Sequence, residues 1–92
     1  MLEVFESSAF KKDRRREFKN SRNRDIDLRI VEFLSLLSKD VVLPPKYRLH
    51  KLRGSYSGFL ECHVKPDLLM IFRIEDNHVY LLRLGSHSEL FR

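Results

Sequence analysis

The chain has 92 residues, of which 42% are apolar and 34% charged, and its formal net charge is +5. A chain of this length builds one domain, 1–92, because it is too short for two separate cores. The single cysteine excludes an internal disulfide, the longest apolar run, 68–72, is too short to span a bilayer, and the acidic N-terminal segment is unlike a signal peptide. We therefore expect a cytoplasmic protein with no membrane role.

The first part of the chain predicts a strand followed by two helices. Apolar and acidic side chains alternate over 2–6, as they do in an edge strand. Ser7 or Ser8 can cap a first helix, which carries a narrow apolar stripe on a very basic surface. A polar break at 20–23 separates it from a strongly amphipathic second helix over 25–39. So short a connection predicts an antiparallel helical hairpin.

Basic residues are concentrated in the first helix and in the break after it. Eight of them lie between positions 11 and 24 against two acids, so this segment carries +6, whereas the rest of the chain sums to −1. A solvated helix face explains such a run, and so does a surface that binds a polyanion or an acidic protein. The eight residues are Lys11, Lys12, Arg14, Arg15, Arg16, Lys19, Arg22 and Arg24.

The second part of the chain predicts a loop and three strands. Two prolines and two glycines keep the segment 44–58 from being helical. A period of two then predicts strands at 58–65, 67–74 and 78–86, and the middle one is apolar enough to be a central strand. The expected fold is a small α+β domain, β-α-α-β-β-β, with the helical hairpin on one face of an antiparallel sheet and the other face available.

The alternation of side chains decides which residues of the first of these three strands face the helices. Leu60, Cys62 and Val64 fall on one face, which we expect to be the buried one. Glu61 and His63 then fall on the uncovered face, together with Phe59 and Lys65. Because neighbours on a strand point to opposite faces, Cys62 and His63 make a poor start for a zinc site, and we expect no metal. In the last strand we expect Arg83 to point away from Leu82.

Three histidines, one arginine and one aspartate fall on the loop and strands of the second half: His50, His63, His87, Arg83 and Asp67. Each has an ordinary structural interpretation, such as a surface histidine, a turn former after Pro66, or an ion pair between Arg83 and Asp67. Together they suit RNA cleavage in which a ribose 2′-hydroxyl attacks the adjacent phosphate, because that reaction needs a base, an acid and a cation. Imidazole exchanges protons near neutral pH, and guanidinium matches phosphate oxygens.

Three segments of this half resemble a known family. They are "YRLHKLRGSYSG" at 47–58, "ECHVKPD" at 61–67 and "RLGSHSELF" at 83–91. In order and spacing they are similar to the C-terminal half of the YafQ-type toxins, which belong to the RelE/ParE superfamily of bacterial toxin–antitoxin systems. One departure is Leu68, where some relatives have a tryptophan, so a role for this position in base stacking is not implied.

The resemblance implies an endoribonuclease, namely an mRNA interferase that cuts messenger RNA in the ribosomal A site. It implies a metal-independent reaction without a cofactor. The expected partners are the ribosome with its ribosomal RNA, the messenger RNA, and a cognate antitoxin, for which an acidic and partly disordered segment would suit so basic a target.

Carried over motif by motif, the resemblance implies six site residues, and we expect the cations Lys51 and Arg53 of the loop to bind the substrate as well. The catalytic ones are His50, His63, Asp67, Arg83 and His87, and the substrate-binding ones are Lys51, Arg53 and Phe91. We assign His50 and His63 to the 2′-hydroxyl side, as base and orienting group. We assign Asp67 with His87 to proton transfer at the leaving oxygen.

The remaining expected roles concern phosphate groups and bases. Arg83 would bind the scissile phosphate, and Phe91 would stack on a base. The basic segment 11–24 and the loop 46–53 would bind ribosomal RNA through its phosphates, which makes binding sensitive to salt.

Two other functions remain open on these residues. The same superfamily fold occurs in toxins that bind DNA gyrase without cutting RNA, and a basic α+β domain can also simply bind RNA. The set His50, His63, Asp67 and His87 is the discriminating feature, because an RNA-binding surface would not require it.

Overall fold

The computed structural model describes residues 2–91. Its helices and strands, in chain order, are β1 (Glu3–Glu6), α1 (Ser8–Phe18), α2 (Ile26–Ser38), β2 (His50–Lys51), β3 (Leu60–Lys65), β4 (Leu68–Glu75), β5 (His78–Gly85) and α3 (His87–Leu90). The three long strands, both predicted helices and the N-terminal strand agree with the sequence prediction. The additional elements are the two-residue strand β2 and the short helix α3.

The cap of α1 also joins this helix to the sheet. The Ser7 hydroxyl accepts a hydrogen bond from the backbone N–H of Phe10 at 2.9 Å and donates one to the carbonyl of Leu82 at 2.7 Å. The predicted N-cap is therefore confirmed. The hydrogen bond to Leu82 also attaches the start of α1 to β5.

The five strands form one sheet in the order β1-β5-β4-β3-β2. β1 runs parallel to β5, with Glu3 opposite His78, whereas the other neighbours are antiparallel. The expectation of an antiparallel sheet is wrong in this respect, and the sheet is mixed. A period of two identifies a strand but not its direction, and here the helical hairpin returns the chain so that the first strand lies beside the last.

One face of the sheet carries the main core, beneath α1 and α2. Phe10, Ile26 and Phe33 are fully buried, and the Phe33 ring meets Phe72 of the central strand edge to face at 5.5 Å. Cys62 lies in the same core, as predicted, and burial raises the pKa of its thiol. None of the helices in residues 2–91 is long and apolar enough to cross a membrane.

The opposite face is less open than expected. Leu69 and Ile71 of β4 are buried there beneath Leu90 of α3 and a set of partly buried side chains, namely Leu52, Tyr56, Phe59, Leu82 and Phe91. The segment 52–59 and the C-terminal helix thus cover part of a face predicted to be bare. This second small core fixes the loop and α3 against the sheet.

Two irregularities in strand register change which face a side chain occupies. After His63 the pairing of β3 with β4 shifts by one residue, so Lys65 does not lie beside His63 as predicted but reaches Asp25 at the start of α2, at 2.8 Å. In β5, Leu81 pairs with Phe72 and Arg83 pairs with Ile71, so β5 advances by two residues where β4 advances by one.

The extra residue in β5 is Leu82, so it and Arg83 both lie on the face opposite the helices. The prediction that Arg83 points away from Leu82 is therefore wrong. A β-bulge inserts one residue and re-aims the side chains after it. With unbroken alternation from Leu81, which packs in the helix-side core, Arg83 would have faced the helices. The bulge is what delivers this arginine to the face of the histidines.

Candidate active site

A row of side chains crosses four strands on the face opposite the helices. His50 of β2 is paired with Glu61 of β3, Glu61 with Ile71 of β4, and Ile71 with Arg83 of β5. Strands in a sheet lie about 4.8 Å apart, so the backbones of Glu61 and Arg83 are separated by roughly 10 Å. Ile71 itself is buried beneath the second small core, so a group bound between the two ends of the row would lie over that core.

Glu61 links two of the predicted histidines. Its Oε1 atom lies 3.3 Å from Nε2 of His50 and 3.7 Å from Nε2 of His63, and the residue is only 6% exposed. A buried carboxylate favours charged partners, and the two imidazoles beside Glu61 would be such partners in their protonated form. Glu61 was not among the predicted site residues, although it falls on the same face as His63 and begins the motif at 61–67.

The other ring nitrogen of each histidine faces a backbone carbonyl. Nδ1 of His50 lies 2.7 Å from the oxygen of Arg48, and Nδ1 of His63 lies 3.2 Å from the oxygen of Pro66. A carbonyl only accepts, so each Nδ1 is the protonated donor. For His63, whose Nε2 is beyond hydrogen-bond distance of Glu61, this leaves the Nε2 lone pair available to take a proton.

Arg83 is held by an acid from α1. Its Nε donates to Oδ2 of Asp13 at 2.7 Å and its Nη2 to Oδ1 at 3.3 Å, and the same carboxylate accepts the backbone N–H of Leu84 at 2.9 Å. Burial would raise the pKa of Asp13, but the hydrogen bonds from Arg83 and Leu84 outweigh it and hold that pKa below its usual value. The ion pair between Arg83 and Asp67 considered in the sequence analysis is not formed.

His87 and Asp67 meet at the start of α3. Ser86 caps this helix in a capping box with Glu89, and Oδ1 of Asp67 accepts the backbone N–H of His87 at 3.4 Å. The His87 ring packs 5.2 Å from the ring of Phe91, and within residues 2–91 neither of its nitrogens has a hydrogen-bond partner. An exposed imidazole without a partner is suited to exchanging a proton with a substrate.

The two predicted cationic substrate ligands lie outside this row. Lys51 on β2 and Arg53 just after it are both exposed, and neither forms an ion pair within residues 2–91. Phe91 differs from them, because its ring also meets Tyr56 edge to face at 5.7 Å as part of the second small core.

The basic segment divides into two groups. Arg14 pairs with Glu6 at 2.9 Å, and Arg16 pairs with Asp13 and Glu17 at 3.0 Å each, so these two side chains have intramolecular roles. The other six are exposed and form no ion pair in the described part of the chain: Lys11, Lys12, Arg15, Lys19, Arg22 and Arg24. These six are the ones free to meet an external polyanion.

A sequence model of the family described as "Bacterial toxin of type II toxin-antitoxin system, YafQ" matches residues 2–92. The chain belongs to the YafQ toxin family. The resemblance predicted from the three motifs of its C-terminal half is thereby confirmed, and the match extends through the N-terminal half, where the sequence had shown only a strand and a basic helical hairpin.

Individual YafQ relatives agree with this membership. The mRNA interferase toxin YafQ of Escherichia coli K12 is 31% identical over 78 residues, which cover 83% of this chain and 85% of that protein. The E. coli DinJ–YafQ complex contains a chain with a TM-score of 0.82 and 28% identity over the whole length of both chains. A metal-bound toxin from Helicobacter pylori has a TM-score of 0.84 and 40% identity, covering 99% of this chain and 100% of that one. These structures confirm the α+β fold class.

The metal in the H. pylori toxin raises the question of which side chains could bind one in this YafQ-family chain. Within residues 2–91 no three side chains of histidine, cysteine, aspartate or glutamate are grouped so as to hold a metal ion. The buried Glu61 with its two imidazoles is the nearest approach to such a group, and both Nδ1 atoms there are occupied by carbonyls.

Proposed function

We propose that this protein is a ribosome-dependent mRNA endoribonuclease, the toxin of a type II toxin–antitoxin pair. The observation that carries the proposal is the row on the face opposite the helices, in which Glu61 lies beside two imidazoles and Arg83 lies two strands away. The name of the E. coli relative, an mRNA interferase, supports the same activity.

The role of each side chain follows from the atoms that it leaves available to the substrate. His63 acts as the base, because its Nδ1–H is held by the Pro66 carbonyl and its Nε2 can take the proton of the 2′-hydroxyl. Glu61 is a positioning residue whose carboxylate balances the charge of His63 once that ring is protonated, and His50 lies on the other side of the same carboxylate. The 2′-oxygen then bonds to phosphorus, forming a 2′,3′-cyclic phosphate as the bond to the 5′-oxygen breaks.

The other end of the row serves the phosphate and the leaving group. Arg83 stabilises the extra negative charge on the phosphorane, with Asp13 holding its guanidinium in place. His87 gives a proton to the departing 5′-oxygen, and Asp67 fixes the backbone that carries its ring. Phe91 offers a face on which a base can stack, while Lys51 and Arg53 remain proposed contacts to the substrate backbone.

The proposed partners rest on the distribution of exposed cations and on one relative. The six exposed cations of the 11–24 segment would bind ribosomal RNA in the cytoplasm, where messages are translated. The E. coli YafQ toxin forms a complex with DinJ, and we propose that a cognate antitoxin neutralises this chain in the same way. No metal and no cofactor enter the scheme, because the side chains supply the base, the acid and the cation.

Induction of the protein in cells distinguishes a nuclease from a gyrase-binding toxin. We expect growth arrest together with discrete breaks inside translated codons of a reporter message, mapped by primer extension. With purified ribosomes at constant Mg²⁺, the same breaks should persist when a chelator selective for transition metals is added. Intact messages accompanied by chromosomal DNA breaks would overturn the proposal and support the gyrase function.

Comparing Arg83→Ala with Asp13→Asn tests the phosphate role of the arginine. Both changes break the same ion pair, but only the first removes the guanidinium. We expect Arg83→Ala to lower the cleavage rate by roughly 10²–10³-fold, as the loss of one transition-state donor usually does. Asp13→Asn should cost about 1–3 kcal/mol of unfolding free energy and reduce cleavage by much less. Equal losses of cleavage by folded protein in both variants would make Arg83 a structural residue only.

A further inference from the structure

A second concave site lies beside the row just described. A cavity of about 430 Å³ opens between the start of α2, the turn before β2 and the end of β3. Four cations line it and, among the described residues, no acid does: Arg29, Lys46, Arg48 and Lys65. A volume of this size is typical of a site for a small ligand, and so many cations around it favour an anion.

Two of these cations are held by a single carboxylate, that of Asp25. Asp25 accepts hydrogen bonds from Nζ of Lys65 at 2.8 Å and from Nε of Arg29 at 2.9 Å, which lower its pKa to about 2. The pKa of Arg29 is raised mainly by Asp25 and to a smaller extent by Glu32. These acids orient Arg29 and Lys65 without filling the cavity.

The other two cations have no acidic partner within residues 2–91. Nζ of Lys46 lies 5.2 Å above the centre of the Tyr47 ring, and Arg48 forms no ion pair. Arg48 has a left-handed backbone, with φ at 47°, and its carbonyl accepts the Nδ1–H of His50. Arg48 therefore lines the cavity and also orients a histidine of the proposed active site.

The cavity and the active site share His63. This residue lines the cavity, and so does Pro66, whose carbonyl accepts the Nδ1–H of His63. Arg83 and His87 lie on the other side of His63, on β5 and just after it. Consider an RNA strand whose leaving 5′-oxygen lies at His87 and whose attacking 2′-hydroxyl lies at His63. In the 5′ direction from that 2′-hydroxyl, the strand would continue into the cavity.

We propose that this cavity binds a phosphate of the message, namely the one on the 5′ side of the nucleotide whose 2′-hydroxyl attacks. This subsite rests on the proposed function. It holds the attacking nucleotide against His63 by charge, without reading its base, because the lining supplies cations and few groups that distinguish one base from another.

The test combines a double variant with a message that is neutral at that one phosphate. Lys46→Gln with Arg48→Asn removes both unpaired charges, and asparagine tolerates the left-handed backbone that keeps the carbonyl under His50. In the modified message a methylphosphonate replaces the phosphate on the 5′ side of the attacking nucleotide, and the rest of the message is unchanged. For the wild type on ribosomes, we expect the neutral linkage to raise KM roughly 10-fold, the usual loss for a hydrogen bond to a charged group.

The double variant should show a raised KM on the ordinary message and no further rise on the neutral one, because the interaction is already absent. Lys39→Gln removes an exposed charge at the end of α2, outside the proposed RNA-binding segments, as a control and should keep the full effect of the neutral linkage. If that linkage raises KM by the same factor in wild type and double variant, or in neither, the subsite is overturned. Failure of the wild type to cut the ordinary message would overturn the proposed function and the subsite together.

Discussion

Replacing His87 by alanine should lower the rate of message cleavage by roughly 10²–10⁴-fold, the usual contribution of one general acid or base. The ring is exposed, packs only on Phe91 among the aromatic side chains of residues 2–91, and has no hydrogen-bond partner there. Its removal therefore deletes a proton donor while costing little packing. The rate should be measured on ribosomes saturated with message, and the thermal midpoint of unfolding should stay close to that of the wild type.

His78→Ala is the matched control for this change. His78 is a partly exposed histidine at the start of β5, where its ring lies near Phe5 and its Nε2 lies 3.7 Å from Glu3, far along the strand from His87. We expect its loss to leave cleavage and growth arrest unchanged. A His87→Ala protein that cuts messages at nearly the wild-type rate would remove His87 from the mechanism.

The position of His87 depends on the second small core. Leu90 packs against Leu69 and Ile71, and Phe91 meets Tyr56, so a helix of only four residues is anchored at its C-terminal end. Ser86 and Asp67 fix the other end through backbone hydrogen bonds. Side chains that act in proton transfer need this kind of support, because small displacements cost large factors in rate.

Local patterns in the sequence were sufficient for most of the fold. The helical periods, the cap at Ser7 and the alternation along β3 each depend on neighbours within a few residues. For the same reason the burial of Cys62 and the placement of His63 on the opposite face could be predicted. The family motifs added His50 and His87, which local patterns alone leave as ordinary surface residues.

What the sequence could not show depends on contacts between distant segments. The bulge at Leu82 inserts one residue without a glycine or proline to mark it, yet it decides which face Arg83 occupies. Asp13 lies 70 residues from Arg83 and is one acid in a basic run, so nothing local indicated that it holds this arginine. The parallel pairing of β1 with β5 also joins distant segments of the chain, so no local pattern indicated it.

The most direct test of the account is a message with a single 2′-deoxynucleotide on the 5′ side of the scissile phosphate. The attacking oxygen is then missing, whereas every phosphate contact and the reading frame are kept. We expect cleavage at that bond to be abolished, and a deoxynucleotide placed one position further upstream to leave it unchanged. Cutting of the same bond at the wild-type rate would contradict attack by the 2′-hydroxyl and, with it, the roles given to His63, Arg83 and His87.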